Sequence, residues 1–392
     1  MMKALGRLVV LTLALCAPVL ASAQASAPVI VINLVELSGA AAIAGTNFAN
    51  GVELAFKEIN AAGGILGQRI QLVTLDTETK PELAKALAQR ALALKPYAVM
   101  GPVFSGITLA AMGEMQAAEV PTFTGGEAAS LTQQGNPYLF RTSFNQLTAM
   151  PRLARYIKDV VRARTVAVVW VDNEFGRGGR DAMTAALDAV GVKVGSDVST
   201  SQQQADFAPA VAKLKAANAD AAFVYLNEEE SGRFLRELQK QGYDRWVLGE
   251  TTLVGQKVLE LAGDAANGVQ AHVGLTPDAL LPNVRTFDNK YLKEYRYRSD
   301  HNGMKGYSAA YVLKAVTEKI GRFDSKELAR AMKGIALSAK EYPGILLDVK
   351  YDDKGDLDRA SFIVRVSGGR HEFIATLPPS TPIVAGPAAA KK

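Results

Sequence analysis

Few residues of this 392-residue chain could do chemistry, and they are scattered. Residues 124–130 read T-G-G-E-A-A-S, which sets the Glu127 carboxylate among glycine and alanine with no cation within four residues. Three readings are open: a solvated loop residue, a catalytic acid, or an acceptor for a ligand. Catalysis by a nucleophile needs a base within reach, and the parts do not assemble. No G-x-S-x-G occurs, and the nearest loop, Gly101-Pro102-Val103-Phe104-Ser105-Gly106, has the wrong spacing for a nucleophile elbow. His272, His301 and His371 fall in no strand-end loop beside a serine. No two histidines are spaced for one helix face and the single cysteine is Cys16, so no metal set is expected. Asp352, Asp353, Asp356 and Asp358 lack the glutamate that closes a calcium loop, and read as a polar β-turn. Gly176-Arg177-Gly178-Gly179 fits neither phosphate-binding fingerprint. It lets a helix start close to its strand, or offers helix N-terminal N–H groups to an anion.

Composition narrows the class. Met1–Arg7 carries two basic residues, Leu8–Leu20 is an almost unbroken apolar run, and Ala21-Ser22-Ala23 is a small-x-small cleavage signature. Residues 1–23 therefore read as a signal peptide, too short and wrongly flanked for a lasting span, and export to the periplasm is expected. Leu15 is too bulky for the position before a lipidated cysteine, which favours cleavage after the small residues over a lipid anchor at Cys16. Loss of Lys3 and Arg7 lowers the formal charge from +5 to +3. That balance is too mild for a nucleic-acid reader, and no basic stripe with aromatics occurs. A mature chain without cysteine relies on packed cores rather than disulfides. From Pro378 the sequence turns to Pro, Ala, Ser and Thr and ends in two lysines, a loose tail.

The elements that must position these residues alternate in type. Short apolar runs interleave with helical patterns, which predicts an α/β fold of parallel sheets with crossover helices. Val29–Leu37, Ile70–Leu75, Tyr97–Met100 and Val120–Phe123 read as strands of a first run, with helices after Ser38, from Pro81 and after Ser105. A second run follows a helix over 147–161: strands at Thr165–Val171, Val192–Val198, Ala221–Tyr225, Val247–Gly249 and Gly268–Val273. Helices at about 283–297, 305–320 and 325–333 follow, then strands at Leu346–Tyr351 and Ser361–Val366. Two doubly wound lobes result. Ligands bind such sheets in the loops at the strands' carboxyl ends: Ser38–Gly45, Gly101–Gly106, Thr124–Ser130, Asp172–Gly178, Leu226–Glu230 and Gly249–Leu253. Glu127 lies in the third.

Leu37–Asp76, LSGAAAIAGTNFANGVELAFKEINAAGGILGQRIQLVTLD, resembles the N-terminal part of periplasmic substrate-binding proteins of the branched-chain amino acid class. Ser38-Gly39, Gly45, Gly51, Ile59-Asn60, Gly63-Gly64-Ile65, Gly67 and Asp76 carry the likeness. Gly101-Pro102 with Ser105, Phe140-Arg141-Thr142, Phe175-Gly176, Asp206-Phe207 and Leu261–Gly268 extend it along nearly the whole mature chain. The resemblance implies a type I periplasmic binding protein clamshell. Two Rossmann-like lobes, 28–143 with 273–352 and 144–272 with 353–380, would be joined by a three-segment hinge, with 381–392 as tail. It also implies a monomer without catalysis or cofactor that feeds a small solute to the permease subunits of an ABC importer in the inner membrane. A sensor with the same clamshell is the other reading.

Carried over residue by residue, Ser105 matches the family's carboxylate-binding serine, and the N–H groups around Gly126 would receive ligand oxygens. Where the family's loop has threonine, this chain has Glu127 followed by Ala128-Ala129. Phe104 and Phe175 would form apolar walls, Ala44 leaves room where an aromatic is usual, and Ser38 falls in the first loop. Of Asn227-Glu228-Glu229-Glu230 at most one acid turns to the cleft, and the run is otherwise a dipole-favoured helix start. Glu250, beside Thr251, is either a solvated rim residue or a contact to ligand donors. The expected ligand is an amino acid, an amide or urea-like compound, or a small organic acid.

Overall fold

The computed structural model describes residues 27–380 and Ile383; the expected signal peptide with Cys16 and most of the expected tail lie outside the described residues. Strands β1 (Val29–Val35), β2 (Ile70–Asp76), β3 (Ala98–Met100), β4 (Thr122–Thr124) and β5 (Leu139–Arg141) form a parallel sheet in the order β2-β1-β3-β4-β5. A second parallel set comprises β6 (Thr165–Val171), β7 (Lys193–Thr200), β8 (Ala221–Tyr225), β9 (Trp246–Glu250) and β10 (Gln270–Val273). Strands β11 (Ala336–Leu337), β12 (Val349–Tyr351) and β13 (Leu357–Asp358) make a small antiparallel sheet. Then β14 (Ser361–Ser367) and β15 (Arg370–Leu377) extend the second sheet, antiparallel, to the order β15-β14-β10-β9-β8-β6-β7.

Burial explains the strands. The central strands β6 and β8 are covered on both faces, so TVAVVWV and AAFVY are buried almost throughout, whereas the edge strand β7 is half exposed. Sequence patterning did not separate β5, β11, β13 or β15; in β5, three residues ending in arginine carry too little periodicity, and pairing with β4 defines the strand. The loop expected at Asp172–Gly178 is mostly helix, because Asn173 caps Glu174–Ala189 by accepting from the Gly176 N–H at 2.9 Å. A Cβ on Gly176 would stand 1.7 Å from the Val171 carbonyl oxygen, so this glycine lets the helix start against its strand. Around Asp352 the chain makes the expected polar turn, with the Asp352 carboxylate accepting from the N–H groups of Lys354 and Asp356, both at 2.9 Å.

The chain passes between the two sheets three times: from β5 at Arg141 into the helix Gln146–Tyr156, after β10 at Val273, and from β13 at Asp358 to β14 at Ser361. The small sheet stays with the five-stranded one, since the Arg141 N–H donates to the Gly355 carbonyl and the Tyr351 hydroxyl to the Arg141 carbonyl.

Two helices cross at close range. Ala42–Ala61 and His301–Ile320 meet backbone to backbone: a Cβ on Gly51 would stand 2.0 Å from the Gly303 carbonyl oxygen, and one on Gly306 2.2 Å from that of Phe48. The second helix starts at His301, a turn before the expected 305, because the Asp300 side chain accepts from the Asn302 and Gly303 N–H groups. Gly306→Val forces these backbones apart and is expected to lower stability by at least about 2 kcal/mol, read from the urea unfolding midpoint.

Candidate functional site

The loop after β4 is held from behind. Arg141 is fully buried, bonds the Asp356 carboxylate at 2.5 Å, and donates to the carbonyls of Gly126 and Ala128, both at 2.7 Å. Ser105 Oγ accepts from the N–H groups of Glu127 (3.2 Å) and Ala128 (3.1 Å). The Gly126 N–H is taken by Thr124 Oγ1 at 3.0 Å. The expectation that N–H groups around Gly126 receive ligand oxygens is therefore corrected: this loop spends them on its own framework.

Glu127 has a cation, supplied from 178 residues further along the chain: Lys305 Nζ lies 2.8 Å from its Oε1. Lys305 follows the tight helix crossing and is 5% exposed along its side chain, so the pair is largely withdrawn from water. Tyr225, at the end of β8, donates to the other oxygen at 3.4 Å. Burial, and then the Glu127 charge, holds the Tyr225 hydroxyl well above its usual range. Gln146 joins the linker to both sides: its N–H donates to the Glu127 carbonyl at 3.1 Å and its Nε2 to the Phe175 carbonyl at 2.7 Å.

Two adjoining cavities share Glu127, His301 and Lys305 as walls. The first lies at the linkers and is lined by Phe144, Gln146, Glu250, Thr251 and Arg359. Phe104, Ser105, Phe175, Asn227, Glu228 and Asn302 line the second, with Ala44 in its wall. Eight of the eleven residues singled out in the sequence thus face the cavities. Three do not. Ser38 is exposed and its hydroxyl donates to Asp76 at 2.7 Å. Ala128 packs with Met112, Leu131 and Leu139 in a small core. Gly126 is buried with Leu131 where its side chain would be.

The acidic run resolves into three roles. Glu229 is exposed beside Arg233, and Glu230 turns back to accept from the Asn227 N–H and side-chain amide at 3.1 and 2.7 Å. Glu228 faces the second cavity and accepts from Asn302 Nδ2 at 3.2 Å. Burial, with nearby Asp300 adding to it, pushes the Glu228 carboxyl up to about 7, and burial lifts Asp300 to about 6. Glu250 is no solvated rim: it is buried, and His272 Nδ1 lies 3.0 and 3.1 Å from its oxygens.

Patterning missed Lys305, His301, Asn302, Tyr225, Gln146 and Arg359. The Asp300 cap was the readable signal: it would have placed the helix start and set His301, Asn302 and Lys305 on the first turns. Arg359 carried none, since it sits in a two-residue link between strands.

The raised carboxyls make stability depend on pH. Glu228 binds its proton more tightly in the folded chain than at the ordinary 4.5, so its contribution to stability is present below pH 4.5 and is lost as pH rises toward 7. Glu228→Gln should therefore gain on the native chain in urea midpoint between pH 5 and 8, by on the order of 2 kcal/mol.

Known proteins share this architecture. A leucine-binding protein of Thermotoga maritima superposes with a TM-score of 0.81 at 22% identity, over 90% of this chain and 99% of that one. A benzoate complex of a solute-binding protein from R. palustris gives 0.81 at 20%, over 93% and 100%. In sequence, the Leu/Ile/Val-binding protein homolog 1 of Brucella abortus is 26% identical over 92% of this chain and 97% of its own length. An amino acid binding protein of Pseudomonas aeruginosa is 27% identical over 93% and 96%. Residues 30–370 match the family model described as periplasmic binding protein, and the chain belongs to that family.

Proposed function

We propose that the chain, exported by its signal peptide, captures a small polar solute between two lobes and delivers it to the permease of an ABC importer. The observation that carries this reading is a set of buried polar atoms facing the cavities without partners among the described residues: both ring nitrogens of His301, Thr252 Oγ1 and Arg359 Nε. Leaving such atoms unpaired is costly, and a solute repays the cost. The names of the relatives and neighbours support the solute class, since they bind amino acids or aromatic acids. The lobes would be 28–143 with 273–352 and 144–272 with 353–380, hinged at the three chain passages.

Capture without turnover agrees with the chemistry. Ser105 Oγ is bonded to two backbone N–H groups and to no imidazole. Contacts that would form on closure span the sheets: Tyr225 to Glu127, Asn302 to Glu228 at 3.2 Å, and Ser130 Oγ to Glu174 at 2.7 Å. A solute bonded to both sides adds to these, so closing reports occupancy to the permease.

A thermal-shift screen over amino acids, amides, ureas and carboxylic acids should find a solute that raises the melting temperature by several degrees. At a hundredfold excess over Kd, mass action contributes about 2.7 kcal/mol. A screen without any shift would sink the reading. Glu127→Gln leaves Lys305 buried and unpaired, and should cost about 3 kcal/mol of stability. Adding Lys305→Met should restore most of that stability while affinity for the best solute stays weak; recovered affinity would remove Glu127 from the site.

A further inference from the structure

Resting on the capture reading, we propose that the solute carries a carboxylate, and that Arg359 receives it in the linker cavity, away from the Ser105 loop. Three observations converge on this residue. Arg359 is 3% exposed, lines the first cavity, and among the described residues forms no ion pair. Its guanidinium makes one long hydrogen bond, from Nη2 to the Thr142 carbonyl at 3.4 Å, and its Nε has no partner. Five N–H groups in a fixed fork are built for a carboxylate's two oxygens, and here nearly all of them are unspent.

The Glu127 charge reaches Arg359 without pairing with it, and the carboxylates nearby are engaged by other groups. Glu127 is engaged by Lys305 and Glu250 by His272, while Arg152, on the same Phe144 ring, pairs with Asp358 at 2.7 Å. A purely structural role, as a cation over the Phe144 ring at 5.5 Å, would use the face of the guanidinium and leave its N–H edge empty. Burial brings the Arg359 guanidinium down to about 10, so it remains cationic at neutral pH. Gly274 contributes room: a Cβ there would stand 3.4 Å from Arg359 Nη2 and closer still to the Phe144 ring.

The remainder of the solute then has one direction to take. His301, shared by both cavities, is buried with both ring nitrogens unpartnered, and burial with the Lys305 and Arg359 charges holds it neutral. A neutral imidazole offers one donor and one acceptor, which suits a hydroxyl or amine on the body of the acid. Beyond it, Phe104 and Phe175 supply apolar walls and Glu228 an acid.

Titration calorimetry on the mature chain with acid and amide pairs tests this: benzoate and benzamide, 4-hydroxybenzoate and 4-hydroxybenzamide, isoleucine and isoleucinamide. At least one acid should bind at least about 30-fold tighter than its amide, and Arg359→Gln should bring the two to comparable affinity. Arg359→Lys should keep part of the preference. The acid-to-amide ratio of the native chain needs no variant, so a misfolded variant leaves the test intact. An amide as tight as its acid, or an acid indifferent to Arg359→Gln, would overturn the proposal. If none of these acids binds while a neutral solute answers the screen, the carboxylate anchor fails and the capture reading stands. If nothing binds, both fall.

Discussion

The buried guanidinium of Arg141 is the contact on which the rest of the site hangs. From one side chain it fixes the carbonyls on either side of Glu127 and grips Asp356, three residues before the link that carries Arg359. Burial works against the charge, drawing its pKa below the ordinary value, and the Asp356 carboxylate with two directed carbonyls offsets that penalty. The loop after β4 is consequently a rigid shelf. Its backbone donors and acceptors are spent internally, and it shows the cavity a single side chain.

The charge arrangement depends on that shelf. Each inward carboxylate has a partner from another element: Lys305 for Glu127, the facing His272 of the neighbouring strand for Glu250, and Asn302 for Glu228. The helix crossing through Gly51, Gly303 and Gly306 brings Lys305 close enough to serve, and the same crossing puts His301 and Asn302 at the cavity wall. Packing and electrostatics are thus one problem here. A bulkier residue at the crossing would displace the cation as well as the helix.

Much of the fold was legible in the sequence because parallel strands buried on both faces read as continuous apolar runs. Thr165–Val171 and Ala221–Tyr225 carry the same bounds in sequence and structure. β5 was not legible, being three residues long and defined by its neighbour. For the site, strand-end loops led to Glu127, Phe104, Phe175 and Glu228, since loop position is a local property. Lys305 and Arg359 belong to none of the strand-end loops expected from the sequence and meet the site only through tertiary packing. Ser38 illustrates the converse: it sits in the right kind of loop, but Asp76 turns it outward.

All three chain passages between the sheets contribute walls to the linker cavity: Ser143 to Gln146 from the first, Gly274 and Leu275 from the second, Arg359 from the third. Widening that end means displacing three covalent connections together, and any side chain at Gly274 would run into the Phe144 ring. The second cavity is walled instead by strand-end segments of two separate sheets and by the helix His301–Ile320, with none of the three chain passages among its walls. Tolerance is therefore graded along the cleft. On the capture reading proposed above, a solute's head would meet the fixed gauge at the linkers, while its body would meet walls with more freedom to adjust.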